Sequence, residues 1–446
     1  MTSHMQISTA LVQPASLPSE RLATALERLA YVALYALVFA IPWEQSPQLG
    51  GFLIGRWFGF VAFGIAILHV AVSGRVRKLS LLHYWMMALV GWSALSILWT
   101  IDWDGTVARI GTYLQLLIAV WLIWEFTGAE IRILGLLQAY VLGIFVSSSS
   151  TIYNFMMGIT ASQLYAERGL EKWDSDRFSI SGVNENDLGL MLALSLPMAI
   201  YLATRRNRTL ESLFYWIQIT ACITAIFLTG SRGALLAAAV SLLMFPVALP
   251  RLPRWQKVAA LAACGGVVAG GVFLVPGDTW QRILKMGSEI SQGTLTHRTL
   301  IWGAGLEAFR EHAFLGVGSG AYGLSVLRVL DIPYVAHNTF LSVLVELGVV
   351  GALLLVALLA GMFYCAIRMR YLERCLWVTL LMTWTVGVSA LTWDYRKPTW
   401  LLFGLLAAHA YVQRTALAPA LRRFKDCPAA GRLRPRAAAS PVLERP

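Results

Sequence analysis

The chain has 446 residues, of which 57% are hydrophobic and only 13% are charged. A soluble domain carries about 25% charged residues, so this composition excludes an ordinary soluble protein and indicates one that lies mostly in lipid. The formal net charge is +12, but most of the excess falls in short loops and near the C-terminus, which favours an anionic membrane surface over nucleic acid as the partner.

The apolar runs predict about twelve membrane-spanning helices, because a helix needs about 20 apolar residues to cross a bilayer. The first run is short, and it follows a segment with no basic patch leading directly into an apolar core. We therefore expect no cleaved signal peptide. The predicted fold is an all-α polytopic membrane protein, with spans near residues 29–43, 51–73, 82–100, 108–127, 131–152, 186–203, 212–229, 233–250, 257–275, 340–366, 376–393 and 398–415.

Clusters of lysine and arginine predict the orientation of these spans, because such residues are enriched in cytoplasmic loops. If the spans alternate in direction, five clusters fall on the same side of the membrane. This arrangement places both termini in the cytoplasm. The clusters lie at residues 75–78, 205–208, 251–257, 368–374 and 422–436.

Two long loops are predicted on the opposite, outer side, near residues 153–185 and at 276–337. The longer one separates a first group of nine spans from a second group of three. The predicted organisation is a membrane region over 1–275, an outer cap over 276–337, a second membrane region over 338–415 and a basic tail over 416–446 that we expect to be disordered.

The outer cap is predicted to be folded and helical. Its first part, residues 278–286, has the pattern of a short interfacial helix. Further on, Arg298, Trp302, Gly305 and Phe309 recur at helical spacing. We therefore expect a helix that starts near Arg298.

A glycine-rich segment follows this predicted helix. Gly318, Gly320 and Gly323 match the dinucleotide-binding pattern G-x-G-x-x-G, but no strand precedes them and no βαβ unit surrounds them, as a nucleotide site requires. We interpret the segment as a connector whose glycines let the backbone pass close to other elements.

Three outer-side arginines are candidates for anion binding. Arg232 lies in a tight turn between two spans, where the alternative is an arginine that reaches lipid headgroups. Outer turns are depleted in arginine, and a planar guanidinium suits a diphosphate, so we favour the binding role. Arg298 is a possible partner on the same side, and Arg282 is a weaker candidate that also fits an interfacial anchor.

His337 and Asn338 stand at the start of the tenth predicted span. In one interpretation Asn338 is a helix N-cap and His337 an ordinary interfacial residue. In the other, His337 is a general base that neighbouring arginines keep neutral. The spacing supports the two interpretations about equally.

Two outer-side acids are also of interest. Glu346 lies inside the tenth span, where it is expected to pair with an arginine or bond to a neighbouring helix. Asp394 follows the eleventh span and is expected to pair with Arg396 or Lys397. No cysteine pair or acidic triplet indicates a disulfide or a metal site, so we expect no metal and no cofactor.

These motifs resemble, in order, the O-antigen ligase and polymerase superfamily of bacterial inner membranes. The matching residues are the SRG turn at 231–233, Arg298 with Trp302, GVGSGAY at 316–322, and His337-Asn338 followed by Leu341, Glu346 and Gly348. The similarity covers roughly the second half of the chain, whereas the first half resembles the family only in hydropathy.

The resemblance implies a metal-independent glycosyltransferase of the GT-C type that uses a polyprenyl-diphosphate-linked glycan. By resemblance, Arg232 and Arg298 bind the diphosphate, His337 is the base on the acceptor hydroxyl, and Asp394 orients acceptor or base. The implied reaction transfers O-antigen from undecaprenyl diphosphate to lipid A-core oligosaccharide at the periplasmic face, and direct displacement with inversion is expected.

Two alternatives stay open. A polymerase of the same superfamily joins repeat units instead of using a different acceptor. A transporter of anionic lipid-linked glycan moves its substrate and forms no glycosidic bond. The sequence does not distinguish the glycan, the acceptor sugar or the oligomeric state.

Overall fold

The computed structural model describes residues 18–47, 51–166, 177–205, 209–274 and 298–425. Within these ranges every regular element is a helix. Short 3-10 turns at Ser96–Leu98 and Leu249–Arg251 follow α3 and α10. The helices are α1 (Pro18–Ala40), α2 (Gly51–Ser73), α3 (Leu81–Leu95), α4 (Trp103–Phe126), α5 (Glu130–Met156), α6 (Ala161–Ala166), α7 (Glu185–Arg205), α8 (Thr209–Leu228), α9 (Arg232–Ser241), α10 (Met244–Ala248), α11 (Arg254–Leu274), α12 (Arg298–Glu311), α13 (Tyr322–Leu330), α14 (Thr339–Ile367), α15 (Tyr371–Val388) and α16 (Lys397–Lys425).

The described part of the chain contains nine helical segments long and apolar enough to cross a membrane. They are α1 to α5, α7, α8, the run of α9 and α10, and α14. This confirms the predicted all-helical, polytopic membrane fold. Helices α11, α15 and α16 occupy the positions of the other three predicted spans, and the count of twelve stays a prediction. Helix α16 also continues to Lys425, past the predicted end near 415.

Helix α7 is the centre of the bundle. In its most apolar window 89% of the residues are buried, and it packs against α5, α8, α9 and α15. A helix that is apolar on all faces is stable only when protein or lipid surrounds it completely. The first turn of α7 is polar, however, and this turn places Glu185, Asn186 and Asp187 among the surrounding helices.

The ion pairs of the described residues gather at the two ends of the bundle. At one end, which we call the basic end, Arg205 donates to Glu130 at 2.8 Å and to Glu373, and Arg370 contacts Glu130 at 3.1 Å. These pairs tie the end of α7 to the beginnings of α5 and α15. At the opposite end, which we call the site end, α4, α7, α9, α14 and α16 begin.

Helix α14 is broken at Gly348, where φ is +66°. The connector between α12 and α13 fills the break: the amides of Val317 and Gly318 donate to the carbonyls of Val345 and Glu346 at 3.0 and 2.9 Å. Backbone groups at membrane depth have no water to bond, so a break needs partners from the protein itself.

The glycines of this connector allow the close approach that the sequence predicts. Gly318 and Gly320 both have positive φ. A Cβ atom on Gly320 would lie 2.7 Å from the carbonyl oxygen of Gly105, and one on Gly318 would overlap Thr100. The connector therefore packs directly against the start of α4, which confirms the interpretation of the glycine pattern as a connector.

The described part of the cap, residues 298–337, is a small helical unit. Helices α12 and α13 share a buried apolar cluster that includes Ile301, Ala304 and Val326. The indole of Trp302 donates to the carbonyl of Ala336 at 2.9 Å. The helix predicted from Arg298 onward is therefore confirmed. The predicted interfacial helix at 278–286, with Arg282, lies outside the described residues.

We expect Gly348→Ala to destabilise the protein. An alanine in this left-handed conformation costs about 1–3 kcal/mol, and its methyl group would also overlap the Phe314 carbonyl oxygen. The measurement is thermal unfolding of the purified protein in detergent. The matched control is Gly64→Ala in α2, where an added methyl group meets nothing within 4 Å. Equal melting temperatures for the two variants would contradict the role of the break.

Candidate functional site

Arg232 is held in the first turn of α9. Ser231 caps this helix, its hydroxyl accepting the amide of Ala234 at 3.4 Å, and Gly230 makes the turn with φ of +56°. Helix α9 begins in tight contact with α7, because a Cβ atom on Gly189 would overlap Ala234. The serine and glycine of the turn thus fix the position of Arg232 relative to α7.

Helix α15 supplies the link from this turn to His337. A Cβ atom on Gly233 would lie 3.3 Å from Ala390, just beyond the end of α15. The next residue, Leu391, accepts a hydrogen bond from the hydroxyl of Thr339 at 2.8 Å, at the start of α14. His337 lies two residues before Thr339. The hydrogen bond of Thr339 thus holds the start of α14, next to His337, on the segment after α15 that packs against α9.

His337 has an unusual backbone conformation for a residue with a side chain, with φ of +47°. Non-glycine residues rarely adopt this conformation, and such strain is found mainly at functional positions. Its neighbour Asn338 caps α14, because Oδ1 accepts the Leu341 amide at 3.1 Å. The capping role of Asn338 is therefore confirmed, and its role in substrate binding stays a prediction.

Arg298 is within electrostatic reach of both Arg232 and His337. Burial lowers the pKa of His337, the positive charge of Arg298 lowers it further, and the negative charge of Asp187 opposes both effects. Burial also lowers the pKa of Arg298, and the nearby charge of Arg232 adds to that shift. An arginine stays protonated even so, so these residues form a cationic pair beside an imidazole that is neutral near physiological pH.

Asp187 is the residue of this site that the sequence reasoning missed. It lies in the first turn of α7 and accepts the Trp393 indole N–H at 2.8 Å. Its other oxygen lies 3.4 Å from a guanidinium nitrogen of Arg396. The signal was the polar run of residues 184–187 at the start of an otherwise apolar span, but such a run is also typical of an ordinary helix N-terminus.

Arg177 braces the same region. Its Nε donates to the carbonyl of Thr229 at 2.6 Å, and its Nη2 donates to the side-chain oxygen of Asn186 at 2.8 Å. These bonds connect the turn before Arg232 with the first turn of α7, where Asp187 lies. Arg177 therefore supports the relative position of Arg232 and Asp187.

A second buried cluster lies beside this site and is centred on Arg109. Its guanidinium contacts Asp394 at 3.0 Å and Glu346 at 3.4 Å. Asp394 also accepts the Tyr113 hydroxyl at 2.6 Å, and Glu346 accepts the Gly320 amide at 2.7 Å. One arginine thus ties α4 to α14, to the glycine connector and to the loop between α15 and α16.

This cluster corrects one expectation and confirms another. Glu346 pairs with an arginine, as expected. Asp394 does not pair with Arg396 or Lys397, because Arg396 contacts Asp187 at 3.4 Å and Lys397 contacts Glu44 at 2.5 Å. The partner of Asp394 is instead Arg109. Arg109 lies inside a predicted span, and a charged residue there indicates a paired or functional position. Any orienting role of Asp394 stays a prediction.

Together, the fold and this site define a polytopic helical membrane protein with a cationic pair and a histidine at one end of its bundle. Residues 218–356 match the family model described as O-antigen ligase. This match confirms the resemblance found in the sequence. The matched segment contains Arg232, Arg298, His337 and Glu346, whereas Asp394 lies beyond it.

A curated relative is similar to part of the chain. It is the exopolysaccharide production protein ExoQ of Rhizobium meliloti strain 1021, with 33% identity over 115 residues. The alignment covers 23% of this chain and 24% of the relative. The chain thus matches about a quarter of the length of this relative.

We expect Arg109→Gln to destabilise the protein, because Glu346 and Asp394 would keep their buried charges without a cation. Removing one partner of a buried ion pair costs roughly 3–5 kcal/mol. Adding Glu346→Gln in the same chain should recover part of the loss, since one unpaired carboxylate disappears.

Thermal unfolding in detergent measures both effects. The control is Arg328→Gln on the exposed side of α13, which should change the free energy of unfolding by less than about 0.5 kcal/mol. If Arg109→Gln melted like this control, the ion-pair cluster would not contribute to stability.

Proposed function

We propose that the protein is an inner-membrane glycosyltransferase, an O-antigen ligase that transfers O-antigen from undecaprenyl diphosphate to lipid A-core oligosaccharide. The observation that carries the proposal is the convergence of Arg232, Arg298 and His337 at one end of the bundle. All three lie within the segment that matches the O-antigen ligase family model.

The two arginines suit a diphosphate leaving group. Like charges held close together in a half-buried position repel each other, as the effect of Arg232 on Arg298 indicates. A bound diphosphate relieves this repulsion and accepts planar, charge-assisted hydrogen bonds. As the bond to the sugar breaks, the same donors stabilise the negative charge that develops on the leaving oxygen.

His337 is the proposed general base. Its lowered pKa keeps the imidazole neutral, which is the state that accepts a proton. In the proposed step the acceptor hydroxyl oxygen bonds to the anomeric carbon, the carbon–oxygen bond to the diphosphate breaks, and the hydroxyl proton passes to His337. A single displacement of this kind inverts the configuration at the anomeric carbon.

The proposed orientation places the site end at the periplasm and both termini in the cytoplasm. Four of the predicted cytoplasmic clusters lie in short connections, and Arg205 and Arg370 from these clusters meet at the basic end, opposite the site. Because the helices alternate in direction, this end and the site end face opposite sides of the membrane. The GT-C type of architecture belongs to the same proposal.

A second candidate is the joining of lipid-linked units into a longer polymer. It is favoured by the similarity to a protein named for exopolysaccharide production. The cationic pair and His337 would serve this reaction in the same way, because the donor is again a lipid diphosphate and only the acceptor changes.

The decisive experiment mixes purified protein, undecaprenyl-diphosphate-linked O-antigen and lipid A-core in detergent with a chelator and without nucleotide. Gel electrophoresis should reveal a glycosylated lipid A-core. His337→Ala should reduce the rate by about 100-fold or more, since a general base contributes roughly 100- to 10,000-fold. The control is His312→Ala, an exposed histidine in the same cap.

The outcomes separate the functions. Longer glycans formed from the donor alone would indicate the polymerase. No new glycosidic bond in either reaction, together with movement of the donor across a vesicle membrane, would contradict both enzymes and favour transport. A His337→Ala variant as active as His312→Ala would remove His337 from the mechanism.

A further inference from the structure

A cleft of about 240 Å³ lies between α1, α2, α4 and α16, away from the cationic pair. Its walls are mostly aliphatic and include Leu34, Leu37, Leu116 and Leu122. Phe60 at its rim has 70% of its surface exposed, so the cleft opens toward the surroundings of the bundle. In a membrane these surroundings are lipid, and a cleft of this kind accepts a hydrocarbon chain.

The end of this cleft that lies nearer the site is positively charged. Arg56 and Lys397 line it, and Lys397 contacts Glu44 at 2.5 Å. Glu44 is also within electrostatic reach of Arg56 and Arg396. Three cations therefore lie near the mouth of the cleft, and a cation-rich surrounding favours an anionic group there.

A second, small cavity of about 30 Å³ adjoins the cleft. Ile41 and Lys397 line both cavities, and the small one continues past Glu44 to Asp187 and Trp393. Asp187 acts on the charge of His337. Polar residues thus lie between the mouth of the apolar cleft and Asp187, which is within electrostatic reach of His337.

We propose that the cleft between α1, α2, α4 and α16 binds a hydrocarbon chain of the acceptor, an anionic glycolipid whose phosphate contacts Arg56 and Lys397. The inference rests on the proposed function and names the place of its second substrate. Neither α9 nor α12, which carry Arg232 and Arg298, lines either cavity. In this proposal the acceptor chain and the donor diphosphate occupy different parts of the protein, so neither displaces the other.

Gly59→Trp tests the cleft. Gly59 lines it, and a Cβ atom there meets only Leu37, at 4.0 Å, so an indole enters the space meant for the chain. The control is Gly64→Trp on the same helix, an exposed position where an added Cβ atom meets nothing within 4 Å. Equal melting temperatures of the two variants establish that both are folded.

The kinetic measurement compares lipid A-core with its deacylated core oligosaccharide. We expect Gly59→Trp to raise the KM for the acylated acceptor about tenfold or more, as expected when roughly two methylene groups lose their burial. Its KM for the deacylated acceptor and for the undecaprenyl-linked donor should equal those of Gly64→Trp. Arg56→Gln should weaken binding of the phosphorylated acceptor several-fold at low salt and less at high salt, because exposed charges are screened.

Three results would overturn the proposal: an unchanged KM, equal losses with acylated and deacylated acceptors, or a raised KM for the donor alone. The last result would assign the cleft to the polyprenyl chain. Native mass spectrometry of bound lipid A-core keeps this test separate from the proposed function. If the wild-type chain forms no glycan product, that function fails, whereas loss of bound lipid A-core in Gly59→Trp alone still supports the cleft.

Discussion

Polar groups within a bilayer must find their partners inside the protein, because hydrocarbon offers none. This constraint organises the site end of the bundle. Arg109 is buried with Glu346 and Asp394, and Glu346 in turn holds the glycine connector through the Gly320 amide. The same connector bonds to the carbonyls that the break at Gly348 leaves open. The cap therefore cannot separate from the bundle without leaving charges and backbone groups unsatisfied.

The position of His337 follows from this arrangement. The connector fixes the cap on α14, Trp302 fixes the end of the cap through Ala336, and Thr339 fixes the start of α14 on the segment after α15. His337 lies between these attachments in a strained conformation. The contacts that satisfy polar groups of the membrane region therefore also fix the position of His337, the proposed base.

Sequence reasoning found the residues whose chemistry is unusual for their place. Arg232 in an outer turn, Arg298 in step with Trp302, and His337 before an apolar helix all signalled a function locally, and the structure brings their charges together. The membrane-spanning helices were also predictable, because their apolar runs are long enough to cross a bilayer. Such features depend on residues that are close in sequence, so they can be predicted from one sequence.

The missed features depend on contacts between distant segments. Asp394 was expected to pair with the cations next to it in sequence, but its partner Arg109 lies 285 positions away. Asp187 lies in a polar run that is typical of any helix N-terminus, and its place in the site depends on distant contacts with Trp393 and Arg396. The break at Gly348 also required the connector, since the Val345 and Glu346 carbonyls accept the amides of Val317 and Gly318.

We propose that His337 is a general base whose pKa is lowered by burial and by Arg298 and raised by Asp187. This proposal is tested most directly by the pH dependence of kcat/KM for glycan transfer, whose acidic limb reports the free enzyme's base. For the wild type this limb should lie below the ordinary histidine pKa of about 6.5, since burial and Arg298 lower the pKa of His337. Arg298→Gln should move the limb to higher pH, and Asp187→Asn should move it to lower pH. A limb that stays in place in both variants, or moves in the same direction in both, would contradict the account.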